Sequence, residues 1–390
     1  MLTLLRALWT LIRWVLLTVL LVELCSFAVI TVSNLVIYGN LREGSRVYYD
    51  PYTLFLNLEG PKKTVPQPES PKSIIWCFGG STMRGQTDNP AATIPSFLAR
   101  KLSADGHDGV LVRNWGEDSF NSLLEANYLQ KLSIEQNETP DLIVFYDGAN
   151  ESVYFSQYRT PYAHHGYRRL RALIESYHRS AFGLLKPINA AVQASFTKEL
   201  VDKFKQVAVP VDKDDPAFIM FANLVEQRYA RLAQEAQYRG AQFAVVWQPA
   251  MWAEHGDVAP AVKALEQDHF INTERFSTMR SNFQTVYNTL RSRLGKHDFF
   301  VDFSNALVDR TEAAYQPDGV HLTDAGREMV ATKLAPVALE YMSRSTRYRK
   351  RLQATANPAG QQAPLQSPGS DRPDAPAPTA PPAETAPAAQ

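Results

Sequence analysis

The sequence predicts an α/β protein: a three-layer α/β/α sandwich around a mostly parallel sheet, preceded by an N-terminal transmembrane helix. Three observations carry this. Five short apolar runs alternate with segments whose apolar residues recur at three- and four-residue spacing. Runs apolar on both faces suit a parallel sheet covered by helices on both sides. A long apolar stretch near the N-terminus stands apart from this alternation.

Taken in order, residues 1–13 form a short tail. Trp14 to Tyr38 is mostly apolar, with Glu23 its one charge. About 25 residues are enough for a tilted helix to cross a roughly 30 Å hydrocarbon core. Arg6 and Arg13 precede the run and favour a cytoplasmic N-terminus, although Arg42 and Arg46 on the far side weaken that argument. Ser26-Phe27-Ala28 offers a small-x-small cleavage site, but the run continues through Val29–Ile37, which favours a retained signal anchor over 14–38.

Residues 39–71 are rich in proline and charge and read as a connector with little regular structure. The α/β pattern fills 72–350. Its strands are expected at Ser73–Phe78, Val110–Asn114, Leu142–Tyr146, Gln242–Trp247 and Phe299–Phe303. Helices are expected at about 91–104, 118–133, 217–239, 279–295 and 323–344. An insertion at about 152–216, partly helical and rich in Tyr and Arg, interrupts the alternation. The stretch 351–390 is Pro/Ala-rich and lacks the large apolar residues needed to fold, so a disordered tail is expected.

Composition narrows the function. Lys+Arg and Asp+Glu both number 40, and the zero net charge argues against a nucleic-acid partner. The 2 cysteines, Cys25 in the apolar run and Cys77 on the first strand, are too differently placed to bridge. No Cys/His spacing suggests a structural metal.

The chemistry lies in four short motifs. Gly79-Gly80-Ser81-Thr82 follows the first strand, where glycines allow a tight turn that leaves the Ser81 hydroxyl exposed at the carboxyl edge of the sheet. Asn114-Trp115-Gly116 ends the second strand, and Asp147-Gly148-Ala149-Asn150-Glu151 the third. Far downstream, Asp318-Gly319-Val320-His321 places a carboxylate three residues before an imidazole on a loop. Asp318 can orient His321, and His321 can take the Ser81 proton. The N–H groups of Ser81 and Gly116, with the Asn150 amide, offer three donors to a developing oxyanion.

This ordered set resembles the SGNH (GDSL-like) hydrolase superfamily, over roughly residues 72–345. The resemblance implies a flavodoxin-like sheet, Ser81 as nucleophile, Gly116 and Asn150 as oxyanion donors, and Asp318 and His321 as the acid–base pair. Gly-Asp-Ser is Gly-Gly-Ser here, and the usual Asp after the third-block Asn is Glu151. The implied activity is serine-dependent hydrolysis of acyl esters with no metal or organic cofactor.

With the anchor, the expectation is a bacterial inner-membrane enzyme, single-pass, facing the periplasm or exterior. Its substrate would be an O-acylated cell-surface glycan or lipid. Transfer of the acyl group to a polysaccharide, or a non-catalytic scaffold role, are the alternatives. Gln248 and Trp252 are candidates for the cleft wall. His164-His165 suits a surface helix better than a metal site, and the polar loop of Glu254, His255 and Asp257 has no evident partner. Glu23, charged within an apolar span, suggests pairing with another membrane protein.

Overall fold

The computed structural model describes residues 2–38, 47–179, 209–267 and 276–356, with isolated positions at 192, 195–198, 200 and 201. Residues 1–351 form one compact unit. Residues 352–390 form a separate one, described only as far as Ala356.

Helix α1 (Leu2–Tyr38) contains a 30-residue stretch, Thr3–Val32, long and apolar enough to cross a membrane. Its apolar side chains are largely exposed, Leu16 at 63% and Leu21 at 62%, so no protein core accounts for them. The connector departs from expectation. Strands β1 (Val47–Asp50) and β2 (Leu54–Asn57) pair antiparallel, Tyr49 opposite Phe55. The intervening Pro51 hides the hairpin in the sequence. Asp50 closes the turn by accepting the N–H groups of Tyr52 and Thr53, each at 3.0 Å.

The five expected strands form one parallel sheet. They are β3 (Ser73–Gly79), β4 (Val110–Asn114), β5 (Leu142–Asp147), β6 (Gln242–Trp247) and β7 (Phe300–Asp302), in the order β4-β3-β5-β6-β7. From β3 the chain adds β4 on one side and β5 on the other. This reversal opens a crevice at the carboxyl ends of β3 and β5, where ligands bind in open α/β sheets.

Side chains alternate across the sheet. Trp76, Phe78, Phe145, Val245 and Trp247 pack on one face with helices α4 (Ser122–Glu135), α7 (Pro216–Tyr238) and α9 (Ser277–Leu294). Ile75, Cys77, Val144, Tyr146 and Val246 pack on the other, with α3 (Ile94–Ala104) and α10 (Asp324–Arg344). The result is a three-layer α/β/α sandwich with the core on both sides of the sheet. Both cysteines are free, and burial pushes the Cys77 thiol up to about 12.

The remaining helices are α2 (Ser81–Arg84), α5 (Ala149–Tyr158), α6 (Tyr167–Arg179), α8 (Pro260–Gln267) and α11 (Thr346–Ala356). Among the described residues, α5 and α6 give the insertion two helices. α8 was not expected, because its eight residues show too few turns of periodicity. The tail expected to be disordered over 351–390 begins instead as the last turns of α11, through Ala356; the rest of it lies outside the described residues, as do 39–46 of the connector and most of 180–208.

Candidate active site

The site assembles at the sheet crevice. β3 ends at Gly79, Gly80 turns the chain, and Ser81 opens α2. The turn is tight: a Cβ on Gly80 would lie 2.4 Å from the Asn150 Nδ2 and 3.1 Å from the Phe120 carbonyl. Only glycine allows block one to approach block three this closely. As the first residue of α2, Ser81 has an N–H with no intrahelical acceptor, which leaves it available to a ligand. Thr82 is tied down by donating its hydroxyl to Gln248 Oε1 at 2.8 Å.

The downstream loop reaches this serine. The Ser81 Oγ lies 2.7 Å from the His321 Nε2, and the other ring nitrogen, Nδ1, contacts Asp318 Oδ2. A carboxylate only accepts, so this contact puts the ring proton on Nδ1 and leaves Nε2 free to accept from the Ser81 hydroxyl. Asp318 Oδ1 also accepts the N–H groups of Val320 and His321, each at 2.9 Å. Burial pushes the Asp318 carboxyl up, but the His321 bond and charge and these two N–H donors outweigh it. The net direction is below the usual carboxylate range.

The loop is fixed at both ends. Tyr315 bridges Leu322, Gln316 N–H donates to the His321 carbonyl at 2.7 Å, and Thr323 N–H donates to the Ala314 carbonyl at 2.9 Å. Thr323 then caps α10, accepting from the Gly326 N–H at 3.2 Å. Beneath the loop, buried Arg310 binds Glu254 through both carboxylate oxygens at 2.8 Å and also binds Glu266. Glu254 therefore has a partner, contrary to expectation. Glu266 accepts the Ala314 N–H at 3.0 Å, so the ion network holds the root of the Asp318–His321 loop.

Asn150 sits in the first turn of α5. One of its two amide N–H groups donates to the Phe120 carbonyl, leaving the other beside Gly80. Gly116 differs from expectation: its N–H donates to Asn114 Oδ1 at 3.0 Å. It must be glycine for another reason, since a Cβ there would lie 2.4 Å from the Arg84 backbone nitrogen. Close packing of the second block against α2 is its observed task.

Glu151, the departure in the third block, is fully buried and structural. It accepts the N–H groups of Ser122 at 2.6 Å and Gly148 at 3.0 Å, joining the starts of α4 and α5. Beside it lie buried Glu125 and Asp147, with Tyr229 donating to Asp147 at 2.7 Å. Burial and neighbouring carboxylates push both Glu125 and Asp147 well above the usual range.

Of the other candidates, Gln248 adjoins Ser81 through Thr82. Trp252 reaches the Asp318–His321 loop, its Nε1 3.3 Å from where a Gly319 Cβ would be. His164 and His165 meet aromatic neighbours edge-on, Tyr167 and Phe55 respectively, with ring centroids 5.5 and 5.7 Å apart. No group of His, Cys, Asp and Glu among the described residues is arranged to hold a metal. Sequence reasoning missed Arg84, buried against Glu117 at 3.6 Å. It also missed Ser119, held at φ +63° beside the Phe120 carbonyl that binds Asn150. A left-handed serine leaves no mark in a sequence. Two surface hollows, one between His255 and Arg291 and one beside Tyr158 and Arg168, are lined by none of Ser81, Asp318 and His321.

No family model and no curated protein matches the chain. Solved structures do. An acetyl xylan esterase is 13% identical, with 68% of this chain and 98% of that chain covered and a TM-score of 0.35. A member of the lipolytic protein G-D-S-L family from Veillonella parvula is 12% identical, covering 68% and 97%, with a TM-score of 0.36. The lipase/acylhydrolase from Enterococcus faecalis is 14% identical, covering 68% and 94%, with a TM-score of 0.34. Likenesses this remote carry no function across to this chain, and its own side chains must supply the case.

Proposed function

We propose that this protein is a serine hydrolase of the SGNH type that cleaves acyl esters. The observation that carries this is the Ser81–His321–Asp318 line, with Ser81 2.7 Å from a histidine nitrogen whose partner nitrogen meets a buried carboxylate. Ser81 Oγ attacks the ester carbonyl as His321 Nε2 takes its proton. Asp318, held as an anion, stabilises the imidazolium. The oxyanion is met by the Ser81 N–H and the free Asn150 N–H. His321 then protonates the departing alcohol, and water resolves the acyl-enzyme by the reverse route. Gly116, with its N–H on Asn114, is left out of the oxyanion site in this reading.

In this proposal residues 14–38 are a retained anchor in the bacterial cytoplasmic membrane, 1–13 are cytoplasmic, and the domain of 72–350 faces the periplasm or exterior. The length and exposure of α1 support the anchor. An O-acyl group on a cell-surface glycan or lipid fits that position. The test is product identity. Full-length protein in detergent is given acetylated glycans and a chromogenic acetyl ester, and free acid is quantified. Release of free acetate that is lost in Ser81→Ala supports hydrolysis. A new O-acetyl sugar without free acetate would replace it with acyl transfer, and turnover unchanged in Ser81→Ala would refute the mechanism.

A further inference from the structure

Glu23 is the charged residue of the apolar run, and its carboxylate is already filled by this chain. Ser195 Oγ donates to it at 2.8 Å, Thr197 Oγ1 at 2.8 Å, and the N–H groups of Phe196 and Thr197 at 2.6 and 3.2 Å. Ser26 lies 3.1 Å from the Thr197 hydroxyl, and Phe27 meets Phe196 edge-on with ring centres 5.0 Å apart. Five polar bonds and one aromatic contact thus join α1 to the described part of the insertion. The pairing is mutual. A carboxylate in hydrocarbon needs donors, and the Phe196 and Thr197 N–H groups would need acceptors at the same depth.

That depth is set by the helix. About 20 residues span the hydrocarbon core. A window of that size placed in Thr3–Val32 includes Glu23 unless it begins at Thr3 itself. Earlier in the insertion, α6 sets Tyr167, Leu170, Leu173 and Ile174 at helical spacing, with Ile174 58% exposed. Between them stand Arg168, Arg169 and Arg171. The helix carries four arginines against one glutamate, although the whole chain is neutral. A basic amphipathic helix with aromatic residues suits an anionic lipid surface.

We propose that the insertion is a second membrane-contacting element: Ser195–Thr197 lies inside the bilayer against α1 at the level of Glu23, and α6 rests on the adjoining anionic headgroups. This rests on the reading of α1 as a retained span. The domain is then held against the membrane and not on a free tether. Glu23 needs no second membrane protein, and substrates in or near the outer leaflet are favoured.

The test uses the full chain, with Cys25→Ser, in vesicles of phosphatidylethanolamine and phosphatidylglycerol. A fluorophore is placed on Phe196→Cys, on Leu24→Cys in the anchor, or on Tyr238→Cys, a position 94% exposed on the soluble domain. Position 196 should match 24, quenched by acyl-chain-brominated lipid and at least threefold less sensitive to iodide than 238. If 196 follows 238 while 24 is inserted, the proposal fails. If neither 196 nor 24 is inserted, the anchor reading and the proposal fail together. A label at Ile174→Cys should gain iodide protection in vesicles over detergent and lose at least half of it when Arg168, Arg169 and Arg171 become Gln. No gain would overturn the headgroup contact. Quenching reads depth and not turnover, so Ser81→Ala protein should give the same result, and a failed esterase reading is distinguished from a failed membrane one.

Discussion

Two groups of buried carboxyls stand at the same edge of the sheet and meet opposite fates. Asp318 has a ring N–H and two backbone N–H donors, and they hold it charged despite its burial. Glu125 and Asp147 crowd against Glu151 with too few donors. As carboxylates neither could donate to the other, and burial and mutual repulsion keep protons on this cluster. The difference teaches that donor count, more than depth, decides which buried acid stays an anion. The anion at Asp318 is the one a catalytic imidazolium can use. The cluster below Asn150 supports the floor of the site.

This contrast can be broken by substitution. Ser81→Ala and His321→Ala should each lower kcat for a chromogenic ester by roughly 10⁴-fold or more without a matching loss in thermal stability. Asp318→Asn keeps the shape but removes the charge and favours the wrong tautomer, and a loss of about 10³–10⁴-fold is expected. Asn150→Ala removes one proposed oxyanion donor, which should cost about 10²–10³-fold in kcat with KM little changed. If Asn150→Ala instead raises KM alone, its amide binds ground-state substrate and the oxyanion assignment is wrong.

Stability measurements sharpen the same comparison. Glu117 is buried near Arg84, and burial outweighs that cation, pushing its carboxyl up from 4.5 to about 7. A raised carboxyl favours folding while it is protonated. Its contribution is full below about pH 4.5 and is lost as pH rises through about 7. Glu117→Gln should flatten that decline and raise stability at pH 8 by roughly 1–3 kcal/mol in denaturant titrations. Asp318 has the opposite sign: its contribution is present above the unfolded value near 3.8 and disappears as pH falls through its depressed folded value. Burial and the neighbouring Asp147 and Glu151 carboxylates push Glu125 up, toward the neutral form that Gln mimics, so Glu125→Gln should change stability at neutral pH by less than about 1 kcal/mol. A large loss there would show that Glu125 is charged.

Much of this was legible in sequence where the signal is local. The five strands are short buried apolar runs, and Ser81, Asp318 and His321 stand in punctuated motifs at the ends of elements. What was not legible depends on distant partners. Glu254 looked unpaired because Arg310 is far along the chain. Glu23 suggested a foreign partner because Ser195 and Thr197 lie more than 170 residues away. Gly116 fits a donor by position, yet a side chain two residues back takes its N–H. The hairpin at Val47–Asn57 was masked by Pro51, although Tyr49 and Phe55 are good strand residues.

The proposed mechanism requires Ser81 to be activated by His321, which Asp318 holds in place. The most direct measurement is covalent labelling of the full-length protein in detergent by a fluorophosphonate, with Ser81→Ala and His321→Ala alongside. Wild type should be labelled stoichiometrically at Ser81, and neither variant should be labelled on the same timescale. A folded wild-type protein that stays unlabelled, or labelling that persists in His321→Ala at the wild-type rate, would contradict it.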